Sequence, residues 1–282
     1  MPNANPTNLV SIEWLQHNIR NDNLILLDAT LPPVGRKPEE FANTGHIPNS
    51  LRFDIDALSL HDSGLPHTLL PPSLFQEEAR RLGINKESII VVYDSIGIYS
   101  APRAWWNFKV MGHEKVVVLD GGLPAWIASK REVAAECKTA QHAGNFIARL
   151  ESTRVVTAKD VLKSINQATT RIIDVRSTGR FSGAEAEPRP GVKGGHIPSS
   201  VNIPFGNLID GIYLQAENRL NDIFANAGCA KDQRLIFSCG SGVTACIGIL
   251  AAQVGGYTHT ALYDGSWAEW GTKEGLPIEK SA

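Results

Sequence analysis

Four short patterns occur along the chain in one order and then occur again in the same order. Leu26-Leu27-Asp28 is answered by Ile172-Ile173-Asp174, and the turn from Gly45 to Ser50 by the one from Gly195 to Ser200. Ile90 to Asp94 is answered by Leu235 to Cys239, and Leu119 to Trp126 by Tyr263 to Trp270. The offsets lie between 144 and 150 residues. Ordered matches at nearly one spacing constrain the fold strongly, because each copy must be the same structural unit. A chain of 282 residues is also long for one core. The reading is two tandem domains, 1–136 and 155–282. They are joined by a polar, aperiodic linker over 137–154.

Each copy alternates short apolar runs with helical stretches. In the first copy Leu24–Leu27, Ile89–Tyr93 and Val116–Leu119 read as strands. Thr7 or Ser11 is placed to cap a helix over 12–18, and Ser73 to cap one that runs to Leu82 and stops at Gly83. Ala101–Val110 reads as a helix with Pro102 in its first turn. In the second copy Leu235–Phe237 is a strand and Ala245–Val254 a helix. Strand–helix alternation predicts an α/β fold in which each domain is a mainly parallel sheet flanked by helices. Ligands of such sheets bind beyond the carboxyl ends of the strands.

Composition narrows the function classes. The net charge of −2 provides no basic field for nucleic acid or an anionic membrane. No apolar run reaches membrane-spanning length, and the N-terminal stretch lacks a basic segment followed by an apolar core. The four cysteines, at 137, 229, 239 and 246, follow no metal-ligand or disulfide spacing. That pattern suits a reducing cytosol.

Cys239 carries the chemistry. It sits where the strand ends, Gly240 and Gly242 break the run, and a helix follows. A tight loop there points N–H groups inward with a helix N-terminus behind them, and both favour negative charge. A cysteine at that corner is expected to be partly thiolate, the form that attacks. The competing reading is a buried structural cysteine. The hydroxyls of Ser241 and Thr244 and the flanking glycines favour function. In the first copy the matching position is Asp94, a poor substitute in sulfur chemistry, so that copy is expected to serve as wall, lid or scaffold.

Tandem domains with Gly-His-Ile-Pro turns at 45–48 and 195–198, an Asp-Gly-x-x-x-Trp element and a loop cysteine resemble the two-domain rhodanese-like sulfurtransferases. The loop from Cys239 to Thr244 is similar to the 3-mercaptopyruvate branch, as are the blocks Thr178–Phe181, Glu187–Gly191 and Pro102–Trp106. The thiosulfate branch has basic residues just after its cysteine, where this chain has Gly240 and Ser241.

The resemblance implies that Cys239 attacks a donor sulfur and becomes a persulfide, from which a thiol or cyanide takes the outer sulfur. It implies that backbone N–H groups of Gly240, Ser241, Gly242, Val243 and Thr244 cradle that sulfur. Arg180 and Arg189 would bind the carboxylate of the 2-oxo acid. From the residues alone an ion pair with Glu185 or Glu187 is an equal alternative. Ser241, His67 and Asp56 would form a proton relay to the departing pyruvate enolate, with the last two contributed by the first domain and the site lying between the domains. Without the resemblance, Asp56 reads as a turn residue and His67 as an exposed loop histidine. No metal or organic cofactor is implied. Expected partners are the small sulfur donor and a thiol acceptor, with a thioredoxin-like protein among the candidates, and neither nucleic acid nor membrane.

Other residues read as structural. His46 and His196 occupy matching turns, Asp28 and Asp174 hold loops, Arg176 pairs with Asp174, Trp126 and Trp270 are core, and Cys246 is a packed thiol. Cys137 and Cys229 have no evident role. Three competing functions are weighed, and the last is discounted. One is thiosulfate:cyanide transfer, and another a non-catalytic interaction module of the same fold. The third, a cysteine phosphatase, requires an arginine six residues after the cysteine, and that place holds Ala245.

Overall fold

The apolar runs become parallel sheets in a computed structural model that describes residues 8–41 and 44–281. The chain divides into two units. The first comprises 1–58, 70–150 and 211–214, and the second 59–69, 151–210 and 215–282.

In the first unit the strands are β1 (Leu9–Val10), β2 (Leu24–Asp28), β3 (Leu51–Arg52), β4 (Ile89–Tyr93) and β5 (Val116–Leu119). They lie in the order β1-β5-β4-β2-β3, every neighbouring pair parallel. The helices are α1 (Ile12–Asn18), α2 (Pro72–Arg81), α3 (Ala101–Val110) and α4 (Gly122–Ala128). In the second unit β6 (Val155–Val156), β7 (Thr170–Asp174) and β8 (Val201–Asn202) precede two short strands, β9 (Ile209–Asp210) and β10 (Tyr213–Leu214). The last of these groups with the first unit. Then come β11 (Arg234–Ser238) and β12 (Thr260–Tyr263). The order β6-β12-β11-β7-β8, again all parallel, repeats the first sheet strand for strand. The remaining helices are α5 (Ala158–Ser164), α6 (Thr178–Ser182), α7 (Glu217–Asn226), α8 (Ala245–Val254) and α9 (Ser266–Trp270).

The sheets are covered on both faces, which is why the central strands are continuous apolar runs rather than alternating ones. On one face of the first sheet, Leu26, Val91, Tyr93, Val117 and Leu119 pack with Ile12 and Leu15 of α1 and Leu123 and Trp126 of α4. The second unit repeats this with Ile172, Ile236, Ala261 and Tyr263 against Val161, Trp267 and Trp270. Both α3 and α8 are buried nearly all round, as sequences such as Ala245–Val254 require. Trp126, Trp270 and Cys246 are core residues, as expected.

Of the helix caps read from the sequence, one holds and one changes. Ser11 caps α1, its Oγ accepting the Trp14 N–H at 3.2 Å, while Thr7 lies outside the described residues. Ser73 is not the cap of α2. Pro71 takes that place and Pro72, with its fixed φ, begins the helix. The stretch read as a linker packs along the first unit as far as residue 150. Gly144 N–H bonds to Arg80 O, Phe146 N–H to Ile84 O and Arg149 N–H to Met111 O. Phe146 is buried against Phe75, Phe108 and His113. Among the described residues no helix is long and apolar enough to cross a membrane.

Candidate active site

Cys239 follows directly on β11, at its carboxyl end, and α8 begins six residues later. Its side chain is buried, and Gly242 N–H donates to Sγ at 3.2 Å. Gly242 has φ +81°, a left-handed conformation that turns this N–H back toward the sulfur. The backbone of Cys239 is itself held: its N–H donates to Ser266 Oγ at 3.2 Å, and its carbonyl accepts from Trp267 N–H at 2.9 Å. The Ala268 N–H bonds to Gly240 O at 2.9 Å. The start of α9 thus clamps the cysteine loop. Ser266 is fully buried at φ +49°, unfavourable for a residue with a Cβ, and its hydroxyl also donates to Tyr263 O. The sequence reading passed over Ser266. The repeat held the signal, since the matching residue is Gly122 at φ +51°.

Both predicted arginines reach the loop. A Cβ added to Gly240 would lie 3.0 Å from Arg180 Nη2 and 3.8 Å from Arg189 Nη1, so the absent side chain is what admits the guanidinium groups. Arg180 also pairs with Glu187, through Nε at 3.1 Å and Nη2 at 2.5 Å. The ion pair and the approach to the cysteine loop therefore coexist. Glu185 is engaged elsewhere, accepting from the Ser177 hydroxyl. Glu187 accepts in turn from Arg176 Nη1 at 2.7 Å, and Arg176 forks onto Asp174, with its guanidinium 4.2 Å from the Trp267 ring centre. The result is a buried chain of alternating charge, Asp174–Arg176–Glu187–Arg180. Burial opposes the charge on Arg180, but the hydrogen bond and charge of Glu187 outweigh it and raise the pKa further. The expected Asp174–Arg176 pair is present. Its extension through Glu187 joins residues 11 and 7 positions apart across an irregular segment, which no periodic pattern reveals.

His67 lies in the segment 59–69 that belongs to the second unit. Its Nδ1 is 2.9 Å from Ser241 Oγ, and Ser241 is nearly buried. His67 has φ +59°. The segment is anchored where it leaves that residue, Leu69 N–H donating to Asp264 Oδ2 at 2.7 Å. Asp56 falls in the first unit, exposed, in a turn held by Asp54, whose Oδ1 accepts from the N–H groups of Asp56 and Ala57. Val243 is buried, and Thr244 is the cap residue of α8, where its side chain makes no capping hydrogen bond.

The corresponding loop of the first copy shows what such a loop binds. Asp94 is fully buried. Its Oδ1 accepts from Ile96 and Gly97 N–H, and its Oδ2 from Tyr99, Ser100 and Ala101 N–H, all within 2.8–3.0 Å. The carboxylate sits in a ring of backbone donors as a bound anion would.

Known proteins share this repeat and fold. Residues 11–129 and 157–273 each match the rhodanese-like domain. The chain is 39% identical to the 3-mercaptopyruvate sulfurtransferase of Escherichia coli over 96% of its own length and 97% of that protein's. It is 34% identical to the thiosulfate sulfurtransferase of Gallus gallus, covering 93% of this chain and 92% of the other. A crystal structure of the Escherichia coli 3-mercaptopyruvate sulfotransferase superposes with a TM-score of 0.83 at 36% identity, over 94% of this chain and all of that one. The repeat, the paired parallel sheets, the loop cysteine and these likenesses have one explanation: the chain is a member of the two-domain rhodanese-like sulfurtransferase family.

Proposed function

We propose that the protein transfers sulfur from 3-mercaptopyruvate through a persulfide on Cys239 to a thiol or cyanide acceptor, and releases pyruvate. The observation that carries this reading is the convergence of Arg180 and Arg189 on Gly240, beside a buried Cys239 whose Sγ accepts the Gly242 N–H. The Cys239 thiolate attacks the donor sulfur. The carbon–sulfur bond breaks, and its electron pair passes to the three-carbon fragment as the pyruvate enolate. That carbon takes a proton, and Cys239 keeps the sulfur as a persulfide. Gly242 N–H, 3.2 Å from Sγ, would stabilise negative charge on the cysteine sulfur, and the two guanidinium groups suit the 2-oxo acid carboxylate. The Ser241–His67 pair is the proton source in this scheme, the imidazole setting the direction of the serine hydroxyl. The assignment of Asp56 to the same relay rests on the family resemblance. An acceptor thiol then attacks the outer sulfur and regenerates Cys239. A small reductant thiol or a thioredoxin-like protein meets that requirement. A reducing cytosolic setting suits the four free cysteines.

The experiment is mass spectrometry of the reduced protein after brief exposure to 3-mercaptopyruvate and, separately, to thiosulfate, with pyruvate assayed alongside. One added sulfur on the Cys239 peptide with stoichiometric pyruvate is expected, 3-mercaptopyruvate being the faster donor. Cys239→Ser should gain no sulfur and lose turnover. Retained turnover in that variant would sink the mechanism, and faster loading from thiosulfate would move the chain to the thiosulfate branch.

A further inference from the structure

The first unit contains a second constellation with no part in this chemistry. Asp28 ends β2, His46 is in the first Gly-His-Ile-Pro turn, and Cys137 lies in the segment that packs back along the unit. His46 Nδ1 is 2.7 Å from Asp28 Oδ2 and 3.3 Å from Cys137 Sγ. The three donor atoms lie within 4.8 Å of one another. Asp and Cys approach the same ring nitrogen. A proton relay through the imidazole would need one on each nitrogen, so this is no nucleophile–base–carboxylate array. It is three ligand atoms close enough together to share one ion.

The other copy shows that the fold does not require this cluster. There Asp174 is saturated by Arg176, while His196 turns its Nδ1 to Phe181 O and stacks on that ring. Thr30 stands where Arg176 would be, which leaves Asp28 Oδ2 to His46. Its other oxygen, Oδ1, is fixed by Thr30 N–H at 2.9 Å and by Arg52 at 3.3 Å, which aims Oδ2 at the cluster. Ser50 Oγ, 3.6 Å from Cys137 Sγ, accepts in turn from the buried Tyr93 hydroxyl. Such outer contacts orient ligand atoms in metal sites.

We propose that Asp28 Oδ2, His46 Nδ1 and Cys137 Sγ bind one zinc ion, with a water or an external ligand as fourth partner. One carboxylate oxygen, one imidazole nitrogen and one thiolate sulfur form a donor set typical of zinc. The two anionic ligands neutralise the dication. On binding, Cys137 releases its thiol proton to solvent and the His46 proton moves from Nδ1 to Nε2, so one proton leaves per ion. His46 and Cys137 are both partly exposed, which gives the ion a way in. Positions 28, 46 and 137 are too far apart in the chain for a spacing motif to show them.

The test is titration of the full, reduced, metal-free chain with zinc alone, in competition with a chromophoric chelator. Wild type and Cys239→Ser should each bind one equivalent. Cys137→Ala and His46→Gln should bind more weakly by about a hundredfold or more. Absence of one-equivalent binding, loss of binding in Cys239→Ser, or undiminished binding in Cys137→Ala overturns the site. Should the ligand variants fail to fold, cobalt added to Cys239→Ser decides: a thiolate-to-cobalt charge-transfer band supports the site, and its absence refutes it.

Discussion

Arg180 serves two groups at once. Glu187 takes its Nε and Nη2, while the guanidinium also closes on Gly240 beside Cys239. Glu187 is itself held by Arg176, and Arg176 by Asp174, so the position of Arg180 is inherited from a buried chain of charges. A guanidinium tethered in this way has lost its rotamer freedom before substrate arrives, and less is given up on binding. Replacing Arg180 and Arg189 together with Ala should raise KM for 3-mercaptopyruvate by about tenfold or more, roughly 1.4 kcal/mol, beyond any change for a donor lacking a carboxylate. Steady-state kinetics with both donors checks this, and equal losses would remove the carboxylate assignment. The ladder itself belongs in the fold as much as in the site. Breaking a link leaves a buried charge without its partner, which is costly.

The same element, a loop between a strand and a helix, has been put to two uses. After β11 it surrounds a sulfur, and after β4 it surrounds its own carboxylate. The strand ends and helix starts around both loops were readable, because apolar runs such as Ile89–Tyr93 and Ala245–Val254 are broken by Gly and by charged or hydroxyl residues. That Asp94 fills its loop was not readable, since the sequence shows only a missing cysteine. Asp94→Asn should lower stability by about 1.5–3 kcal/mol, the range for hydrogen bonds to a charged group. It should appear as a reduced urea midpoint at unchanged slope. An unchanged midpoint would mean that the five N–H contacts contribute nothing net. The segment after Cys137 teaches a related lesson. Its polar composition suggested a tether, yet one buried ring, Phe146, and a few backbone hydrogen bonds fasten it to the first unit.

For the whole molecule, duplication was legible because four patterns recur at one spacing, and the two sheets repeat their strand order accordingly. Legibility from the residues alone ended where contacts join distant positions: nothing local joins Ser266 to Cys239, and the pairing of His67 with Ser241 came only with the family resemblance. Stability as a whole should also carry a signature of His113. This ring lies in the aromatic cluster of the first unit, and its Nε2 donates to Ser88 O at 2.9 Å. Burial lowers its pKa. The unfolded chain therefore takes up the proton more readily, and stability falls as pH drops below about 6.5, by up to about 1.4 kcal/mol per pH unit. Denaturant unfolding at pH 7.5 and 5.5 should show a smaller loss in His113→Gln than in wild type, and equal losses would refute this origin. The filled loop at Asp94 has an evolutionary consequence. Two oxygens there serve five donors, and a single sulfur cannot replace them. A mutation placing cysteine at position 94 would strand buried N–H groups before any new catalysis could be selected. The filled loop therefore works as a ratchet, hard to reverse.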